Sequence, residues 1–195
     1  MKAFRRLTSS AAIVDRVDVD TDQIIPKQFL KRIERTGYGQ FLFFDWMKDP
    51  QFELRRPECL DAAILIAGRN FGCGSSREHA AWALQDYGFD VVIAPSFGDI
   101  FRTNSLKIGL LPVQLPAEDV RALMERTAGG AEITVDLERQ VVVDPDGHEL
   151  AFEIDPFARE CLLEGLDEIA LTLRRADEID RYEAATAGRV DTLTL

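Results

Sequence analysis

A chain of 195 residues with 46% hydrophobic and 29% charged residues has the length and composition of about one globular domain with a sizeable core. Its formal net charge of −11 argues against binding to nucleic acid or to an anionic membrane, because both require a basic surface. No apolar run approaches the ~20 residues of a membrane span, and the amino-terminal residues lack the apolar segment of a signal peptide, so we expect a cytoplasmic protein.

The acidic segment 18–22 carries three alternating aspartates and begins like a calcium-binding loop. Gln23 stands where such a loop needs glycine and Phe29 where it needs glutamate, so we exclude this type of calcium site. From the residues alone, the segment is a solvated turn, which Asp20 and Thr21 shape through local side-chain hydrogen bonds.

The next segment, residues 29–39, is basic within an otherwise acidic chain. Lys31, Arg32 and Arg35 cluster in it, and two glycines end it. From the residues alone, a mobile surface loop is as good an interpretation as a functional one. Residues 41–57 mix aromatic residues with prolines and charges and predict irregular covering structure.

The middle of the chain predicts one crossover of a parallel sheet. Ala62–Ala67 is an unbroken apolar run with the length of a buried strand. A segment with helical spacing of its apolar residues follows, at Ala80, Ala83, Leu84 and Tyr87. A second apolar run, Val91–Ala94, begins after Gly88, so the order is strand, glycine loop, helix, strand.

The remaining elements complete an α/β pattern in which a mostly parallel sheet is flanked by helices. We predict helices over residues 97–107, 117–127, 156–164 and 174–185, an edge strand over 110–115, and alternating strands over 133–137 and 150–154. The turn signal 144–147 separates the last two strands. No repeat or linker interrupts the chain, so we expect a single domain over 1–195, with a loose tail over 186–195.

The loop between the two predicted strands, residues 72–78, has the chemistry of an anion site. Gly72 and Gly74 permit a positive φ and a close approach of a ligand to the backbone. Ser75 lies three residues before Glu78, which is the spacing of a capping box and predicts a helix that begins there. Helix N–H groups and the Arg77 guanidinium then suit a carboxylate or a phosphate. From the residues alone, a well-capped helix without a ligand is equally open.

Three better-known loops do not fit this stretch. A dinucleotide fingerprint needs a third glycine where Arg77 stands, and a Walker loop needs Gly-Lys-Ser/Thr. A hydrolase elbow needs glycine where Glu78 stands. Farther along the chain, Asn104 and Ser105 could face the same site, although packing and capping are commoner uses of such residues.

Cysteines and histidines predict no metal site in this chain. Cys59, Cys73 and Cys161 are widely scattered, which indicates neither a disulfide framework nor a Cys-x-x-Cys site. Cys73 lies in the glycine loop, where a small packing residue is the simpler interpretation. His79 and His148 are too few to hold a metal; we place His79 near the site and His148 in a turn.

Several stretches of the chain resemble one known family. Gly72–Ala80 resembles the signature of the swivelling domain of the aconitase superfamily, and Asp20–Pro26 resembles the amino-terminal motif of its 3-isopropylmalate dehydratase small-subunit branch. Ala94–Phe101 and Gly165–Leu173 are similar to the bacterial form of that branch. The resemblance covers roughly residues 4–185 and implies a swivelling β/β/α domain of the aconitase C-terminal type.

The resemblance implies a hydro-lyase (EC 4.2.1.33) that removes water from 2-isopropylmalate and adds it back at the neighbouring carbon. Such chemistry needs a base beside the carbon that loses its proton and a Lewis acid at the leaving hydroxyl. By position, Ser75 matches the family's serine base and Asp22 an active-site carboxylate beside it. The positions that match substrate-carboxylate binders are Ser76 and Arg77.

Residues 29–39 resemble the loop that closes over the substrate. In it Lys31 or Arg32 could meet a carboxylate and Leu30 or Ile33 an isopropyl group, and the sequence does not choose between them.

The resemblance also implies a partner. Three distant cysteines cannot readily hold an iron–sulfur cluster, so we expect no cofactor in this chain and a 4Fe-4S cluster in a separate large subunit. The chain alone should then be inactive toward its hydroxy dicarboxylate substrate. Two alternatives remain: a related hydro-lyase subunit acting on citramalate/citraconate or homoaconitate, and a non-catalytic anion-binding or assembly module.

Overall fold

Seven strands form one sheet in the order β4-β3-β2-β1-β5-β6-β7 in the computed structural model, which describes residues 1–31 and 34–186. The strands are β1 (Arg6–Val14), β2 (Ile64–Ala67), β3 (Val91–Ala94), β4 (Leu111–Gln114), β5 (Glu132–Asp136), β6 (Val141–Val143) and β7 (Glu149–Ala151). The helices are α1 (Thr21–Ile24), α2 (His79–Tyr87), α3 (Asp99–Ile108), α4 (Ala117–Thr127), α5 (Pro156–Glu164), α6 (Glu168–Leu173) and α7 (Ala176–Thr186).

Strand β1 joins two halves of the sheet that differ in direction. It pairs in parallel with β2, with Ala11 opposite Ile64, and β2, β3 and β4 continue in parallel. On its other side β1 pairs antiparallel with β5, and β6 and β7 follow as an antiparallel meander. The α/β class with flanking helices is therefore confirmed, and the parallel half carries the crossover helices α2 and α3.

The central strands are apolar throughout because both faces of the sheet are covered. Leu65 belongs to one core cluster, which includes residues of α2 and α3 and most aromatic residues of the stretch 38–54. Ile64 and Ile66 belong to the other, which includes residues of α4 and α5. Short 3-10 helices occupy Gly39–Phe41, Trp46–Lys48, Glu53–Arg55 and Pro57–Cys59, which confirms the prediction of irregular covering structure over 41–57.

Most of the predicted elements are confirmed. The crossover strands are β2 and β3, and the strand with Pro112 is the edge strand β4. Helices α3, α4 and α5 occupy the predicted segments, and Asp155 caps α5 by accepting a hydrogen bond from the Ala158 N–H at 2.9 Å. The charged helix is α7. The tail prediction concerns residues that lie, from 187 onward, outside the described part of the chain.

Four elements were not predicted: β1, α1, β6 and α6. Helix α1 begins where a solvated turn was expected, and its first residue, Thr21, is buried. β6 has only three residues, and α6 has six and no buried residue, so neither carries a periodic apolar pattern. Among the described residues, no helix is both long enough and apolar enough to cross a bilayer.

Candidate active site

The candidate site is built from loops that extend the parallel strands beyond their carboxyl ends. The loop after β1 and the loop after β2 continue side by side, because the Gly72 N–H donates to the Val19 carbonyl at 2.8 Å. The Thr21 N–H then donates to the Cys73 carbonyl at 3.0 Å. This parallel bridge places the start of α1 directly beside the glycine loop.

The loop after β3 is joined to the same assembly. The Phe71 N–H donates to the Ser96 carbonyl at 3.0 Å, and the Gly98 N–H donates to the Phe71 carbonyl at 2.9 Å. Three consecutive crossover loops are thus held together by main-chain hydrogen bonds at the edge of the sheet where ligands of α/β proteins bind.

Gly72 and Gly74 adopt the predicted positive φ angles, +72° and +96°. At Gly72 the absence of a side chain is also a packing requirement, because a Cβ there would lie 2.2 Å from the Phe101 ring. Gly98 has the same role, since a Cβ there would meet the Gly72 carbonyl oxygen at 2.6 Å. The loop therefore passes α3 at backbone contact distance.

The capping box predicted for Ser75 and Glu78 is wrong. Helix α2 begins at His79, and Glu78 precedes it without a side-chain cap. The physical reason is tertiary: Thr21, from the loop after β1, contacts both the N–H and the hydroxyl of Ser75.

A capping box does form in α1. Asp20 accepts a hydrogen bond from the Gln23 N–H at 2.8 Å, and the Gln23 side-chain oxygen accepts one from the Asp20 N–H at 2.9 Å. The prediction that Asp20 shapes the turn is confirmed. With Asp20 used as a cap, the aspartates of the segment 18–22 have distinct roles, and Asp18 pairs with Arg69.

Backbone N–H groups are concentrated after the glycine loop. Within the described part of the chain, the N–H groups of residues 76–80 have no hydrogen-bond acceptor. They comprise the end of the loop and the first two residues of α2, where the partial positive charge of the helix is greatest. Ser76 is exposed and Arg77 is half-buried, so the donors at the end of the loop lie at a surface that a ligand can reach, whereas Ala80 is fully buried.

Two polar contacts fix the loop. The Arg77 guanidinium donates to the Asp22 carboxylate, which is 51% exposed, so the loop after β1 also holds the arginine. On the other side, the buried Asn104 side chain of α3 donates to the Ser76 carbonyl at 3.3 Å. The side chain of Asn104 thus faces the site, whereas the neighbouring Ser105 is buried and its hydroxyl has no partner among the described residues.

The structure brings four of the six predicted site residues together, namely Ser75, Ser76, Arg77 and Asp22. Lys31 is exposed at the end of the 3-10 helix Lys27–Lys31, and no hydrogen bond or ion pair within the described residues links it to the loop. Arg32 lies outside the described residues. The Thr21 contact was not predicted, because it joins residues 54 positions apart and no local pattern marks it.

His79 begins α2, and its ring packs against two aromatic rings. The ring centroid of His79 lies 5.2 Å from that of Tyr38 and 4.6 Å from that of Trp82. Burial lowers the pKa of the imidazole, and the charge of Arg77 acts in the same direction while Glu78 opposes it. Its Nδ1 atom is buried without a hydrogen-bond partner among the described residues. Burial therefore favours the neutral imidazole, and the ring contact joins Tyr38 to the site helix.

The cysteines do not form a cluster site. Cys59 and Cys161 are buried and Cys73 is half-buried, and burial raises the pKa of all three thiols. Among the described residues, one group only has the spacing of a metal site, and it contains Asp144, Asp146 and His148. Asp144 already accepts hydrogen bonds from the N–H groups of the other two and from the His148 ring, so the group is the predicted turn.

Family models match most of this chain. A family model described as the aconitase C-terminal domain matches residues 1–118, and one described as LeuD_N matches 121–156. A third, described as the C-terminal domain of the 3-isopropylmalate dehydratase small subunit, matches residues 168–188. The fold and the loop of Ser75, Ser76 and Arg77, here called the serine–arginine loop, thus define a protein of the aconitase C-terminal class.

Similar sequences and a solved structure narrow that class. A 3-isopropylmalate dehydratase small subunit from Acidobacterium capsulatum is 58% identical over 97% of this chain and 93% of its own length, and one from Bacillus subtilis is 53% identical over 94% and 96%. The crystal structure of 3-isopropylmalate dehydratase (leuD) from Methanocaldococcus jannaschii superposes with a TM-score of 0.70 at 27% identity, covering 90% of this chain and 99% of that one. The chain belongs to the family of 3-isopropylmalate dehydratase small subunits.

Proposed function

We propose that this chain, together with a large subunit, interconverts 2-isopropylmalate and 3-isopropylmalate by dehydration and rehydration in leucine biosynthesis. The observation that carries the proposal is the loop of Ser75, Ser76 and Arg77, which lies beside Asp22 at the carboxyl ends of the parallel strands. Relatives with more than half of their residues identical, over nearly their whole length, carry the name of this enzyme's small subunit.

The free donors of the loop suit the carboxylates of such a substrate. Arg77 uses one terminal nitrogen to bind Asp22, and its other N–H groups have no acceptor among the described residues. A guanidinium binds a planar carboxylate through two parallel hydrogen bonds, and consecutive backbone N–H groups add further donors. In our proposal Ser76 and Arg77 bind a substrate carboxylate, and Asp22 is the active-site carboxylate that orients Arg77.

Ser75 is the base in this proposal, which requires a large decrease in the pKa of its hydroxyl. A helix N-terminus contributes at most ~2 kcal/mol, or about 1.5 pKa units, and the effect decreases within the first turn. Helix α2 begins four residues after Ser75, so the helix contributes only part of the shift. Arg77, direct hydrogen bonds to the oxygen and a closed site without bulk water supply the rest.

The site on this chain is open, which supports a two-subunit enzyme. Ser76 and Asp22 are exposed, and the described cysteines do not form the ligand set of a cluster. We therefore assign the 4Fe-4S cluster to the large subunit, where it would supply the Lewis acid at the leaving hydroxyl. Lys31 and Arg32 belong to the basic segment 29–39. We propose that they contact the substrate when the two chains close around it.

The test compares the chain alone, its complex with the large subunit purified anaerobically, and the complex with Ser75→Ala. We expect no turnover of 2-isopropylmalate by the chain alone, and a decrease of about 10²–10⁴-fold in kcat for Ser75→Ala, since a positioned base contributes that much. Subunit affinity, measured by titration, should stay unchanged. Ser10→Ala changes a half-buried serine of β1 and serves as the matched control.

Each alternative gives a different result. Turnover by the chain alone would contradict the need for a large subunit. A non-catalytic binding module would keep the full activity of the complex after Ser75→Ala. Faster turnover of citramalate or homoaconitate than of 2-isopropylmalate would assign the chain to a related hydro-lyase.

A further inference from the structure

We propose that Thr21 is a positioning residue for Ser75, and that its hydroxyl donates a hydrogen bond to the oxygen that becomes the base. This inference rests on the proposed function, because it describes how the same site lowers the pKa of a serine. It concerns a residue outside the serine–arginine loop, on a different element.

The contact geometry assigns the direction of the hydrogen bonds. The Ser75 N–H donates to Thr21 Oγ1 at 3.3 Å, so a lone pair of the threonine oxygen is occupied. Thr21 Oγ1 also lies 3.3 Å from Ser75 Oγ, toward which its own O–H points. A threonine hydroxyl has a single hydrogen and two lone pairs, one of which the Ser75 N–H uses. The second contact has the geometry of a hydrogen bond from Thr21 to Ser75, and our proposal places the threonine hydrogen there. When Thr21 donates, the Ser75 hydrogen points away from Thr21 Oγ1.

Thr21 is fixed in place on both sides. It is 2% exposed, its N–H donates to the Cys73 carbonyl at 3.0 Å, and its carbonyl accepts from the Ile25 N–H at 3.0 Å. A β-branched side chain on a fixed backbone has few rotamers, so the hydroxyl is held toward Ser75. Little water reaches it, and a hydrogen bond is electrostatically stronger in such surroundings.

A hydrogen bond from Thr21 favours the deprotonated form of Ser75. Hydrogen bonding to the charged form of an acid lowers its pKa, and preorganised donors need no rearrangement when the charge develops. The helix N-terminus is too weak to lower the pKa of a serine sufficiently, and the chain itself thus provides a second contribution.

The test uses the complex with the large subunit and measures kcat, KM and the pH dependence of kcat/KM with 2-isopropylmalate. Thr21→Val keeps the shape and removes the donor, whereas Thr21→Ser keeps the hydroxyl. We expect Thr21→Val to lower kcat by about tenfold or more, which is the effect of one lost hydrogen bond to a charged group. KM should change less than kcat, and the rising limb of the pH profile should move to higher pH. Thr21→Ser should restore most of the rate and the original profile.

Three outcomes would overturn the inference: an unchanged kcat and pH profile in Thr21→Val, an equal loss in Thr21→Ser, or a rate loss without a shift of the profile. Thermal unfolding and subunit titration accompany each variant, and if Thr21→Val does not assemble, Thr21→Ala replaces it with the same criteria. Ser75→Ala is measured in parallel. Full activity of that variant contradicts the proposed function itself, whereas inactive Ser75→Ala beside unaffected Thr21→Val contradicts only the role of Thr21.

Discussion

At the scale of the residue, the tightest constraint on the site is the missing side chain of Gly72. Its φ of +72° is costly for any other residue, and α3 leaves no room for a Cβ because the Phe101 ring lies against the backbone. Both requirements act on the same loop that carries Ser75. A change at Gly72 should therefore affect folding and catalysis together.

Gly72→Ala should lower the free energy of unfolding by about 2–6 kcal/mol, from backbone strain of about 1–3 kcal/mol and a similar cost of overpacking. Two control variants separate the backbone strain from the overpacking, and urea unfolding measures the free energy of unfolding of each variant. Gly147→Ala has the φ penalty without a contact, since its φ is +87° and no atom lies within 4 Å, and we expect about 1 kcal/mol. Gly129→Ala has neither penalty and should change stability by less than about 0.5 kcal/mol. Equal effects in all three variants would contradict this account.

At the scale of the element, the turn between β6 and β7 depends on one buried carboxylate. The Asp144 side chain is fully buried and accepts hydrogen bonds from Arg126 of α4 and from the backbone and ring of His148. Burial alone would raise the pKa of the carboxyl, but the hydrogen bonds from His148 and the charge of Arg126 lower it overall. The carboxylate therefore stabilises the fold above its unfolded pKa of 3.8.

Asp144→Ala should lower the free energy of unfolding at pH 7 by about 1–3 kcal/mol, because it leaves buried donors without an acceptor. The exposed Asp146→Ala is the control and should have little effect. The difference between wild type and Asp144→Ala should decrease as the pH falls below about 4, because the unfolded chain then binds a proton at this carboxyl, which the folded chain binds only at a lower pH. A difference that stays constant from pH 7 to pH 3 would show that the charge has no part in it.

Elements were predictable where a local pattern exists and not where pairing alone makes them. β2 and β3 are continuous apolar runs, and α4 ends where its sequence pattern ends. β1 contains Thr8, Ser9, Ser10, Ala11 and Ala12, a stretch of small residues without clear alternation. It is a strand because β2 and β5 pair with it from both sides, and these partners lie far away in the chain.

The same distinction holds for the site. The motif of residues 72–79 and the aspartates before α1 identified the loop and Asp22 from the sequence. The sequence placed the start of α2 too early. A capping rule considers only neighbouring residues, whereas the Ser75 hydroxyl forms its hydrogen bond with Thr21, which is 54 residues away in the chain. The sequence identified Asn104 as a residue that could face the site, but it did not distinguish this role from packing or capping. That distinction depends on how α3 packs against Ser76.

At the scale of the whole molecule, the central strands are much more deeply buried than the carboxyl-terminal helices, and we expect local stability to follow this difference. All residues of β2 and β3 are buried, and helices cover both faces of these strands. Helix α7 has no buried residue, and neither has α6. The core therefore lies around the parallel half, β1 and the buried residues of β5 and β6, and helices α6 and α7 lie at its periphery.

Hydrogen exchange followed by mass spectrometry should reveal this difference. Amides of β2 and β3 should exchange only through global unfolding, and those of α7 should exchange fastest among the helices of more than eight residues, by local opening. Addition of the large subunit gives a second readout, because the proposed site predicts new protection over residues 72–80. Protection of α7 as strong as that of β2 in the isolated chain would contradict the prediction.

The hydrogen bonds that join the three crossover loops are made by backbone atoms, at Val19, Gly72, Phe71, Ser96 and Gly98. Every amino acid except proline supplies the same backbone N–H and carbonyl. Most of these hydrogen bonds therefore do not depend on which side chains the loops carry. Substitutions on the outward side of the loops can alter what the site recognises while the scaffold keeps its shape. Gly72 and Gly98 are the exception, because a side chain at either position would collide with its neighbours. Sequence changes in the loops are therefore restricted at these two positions.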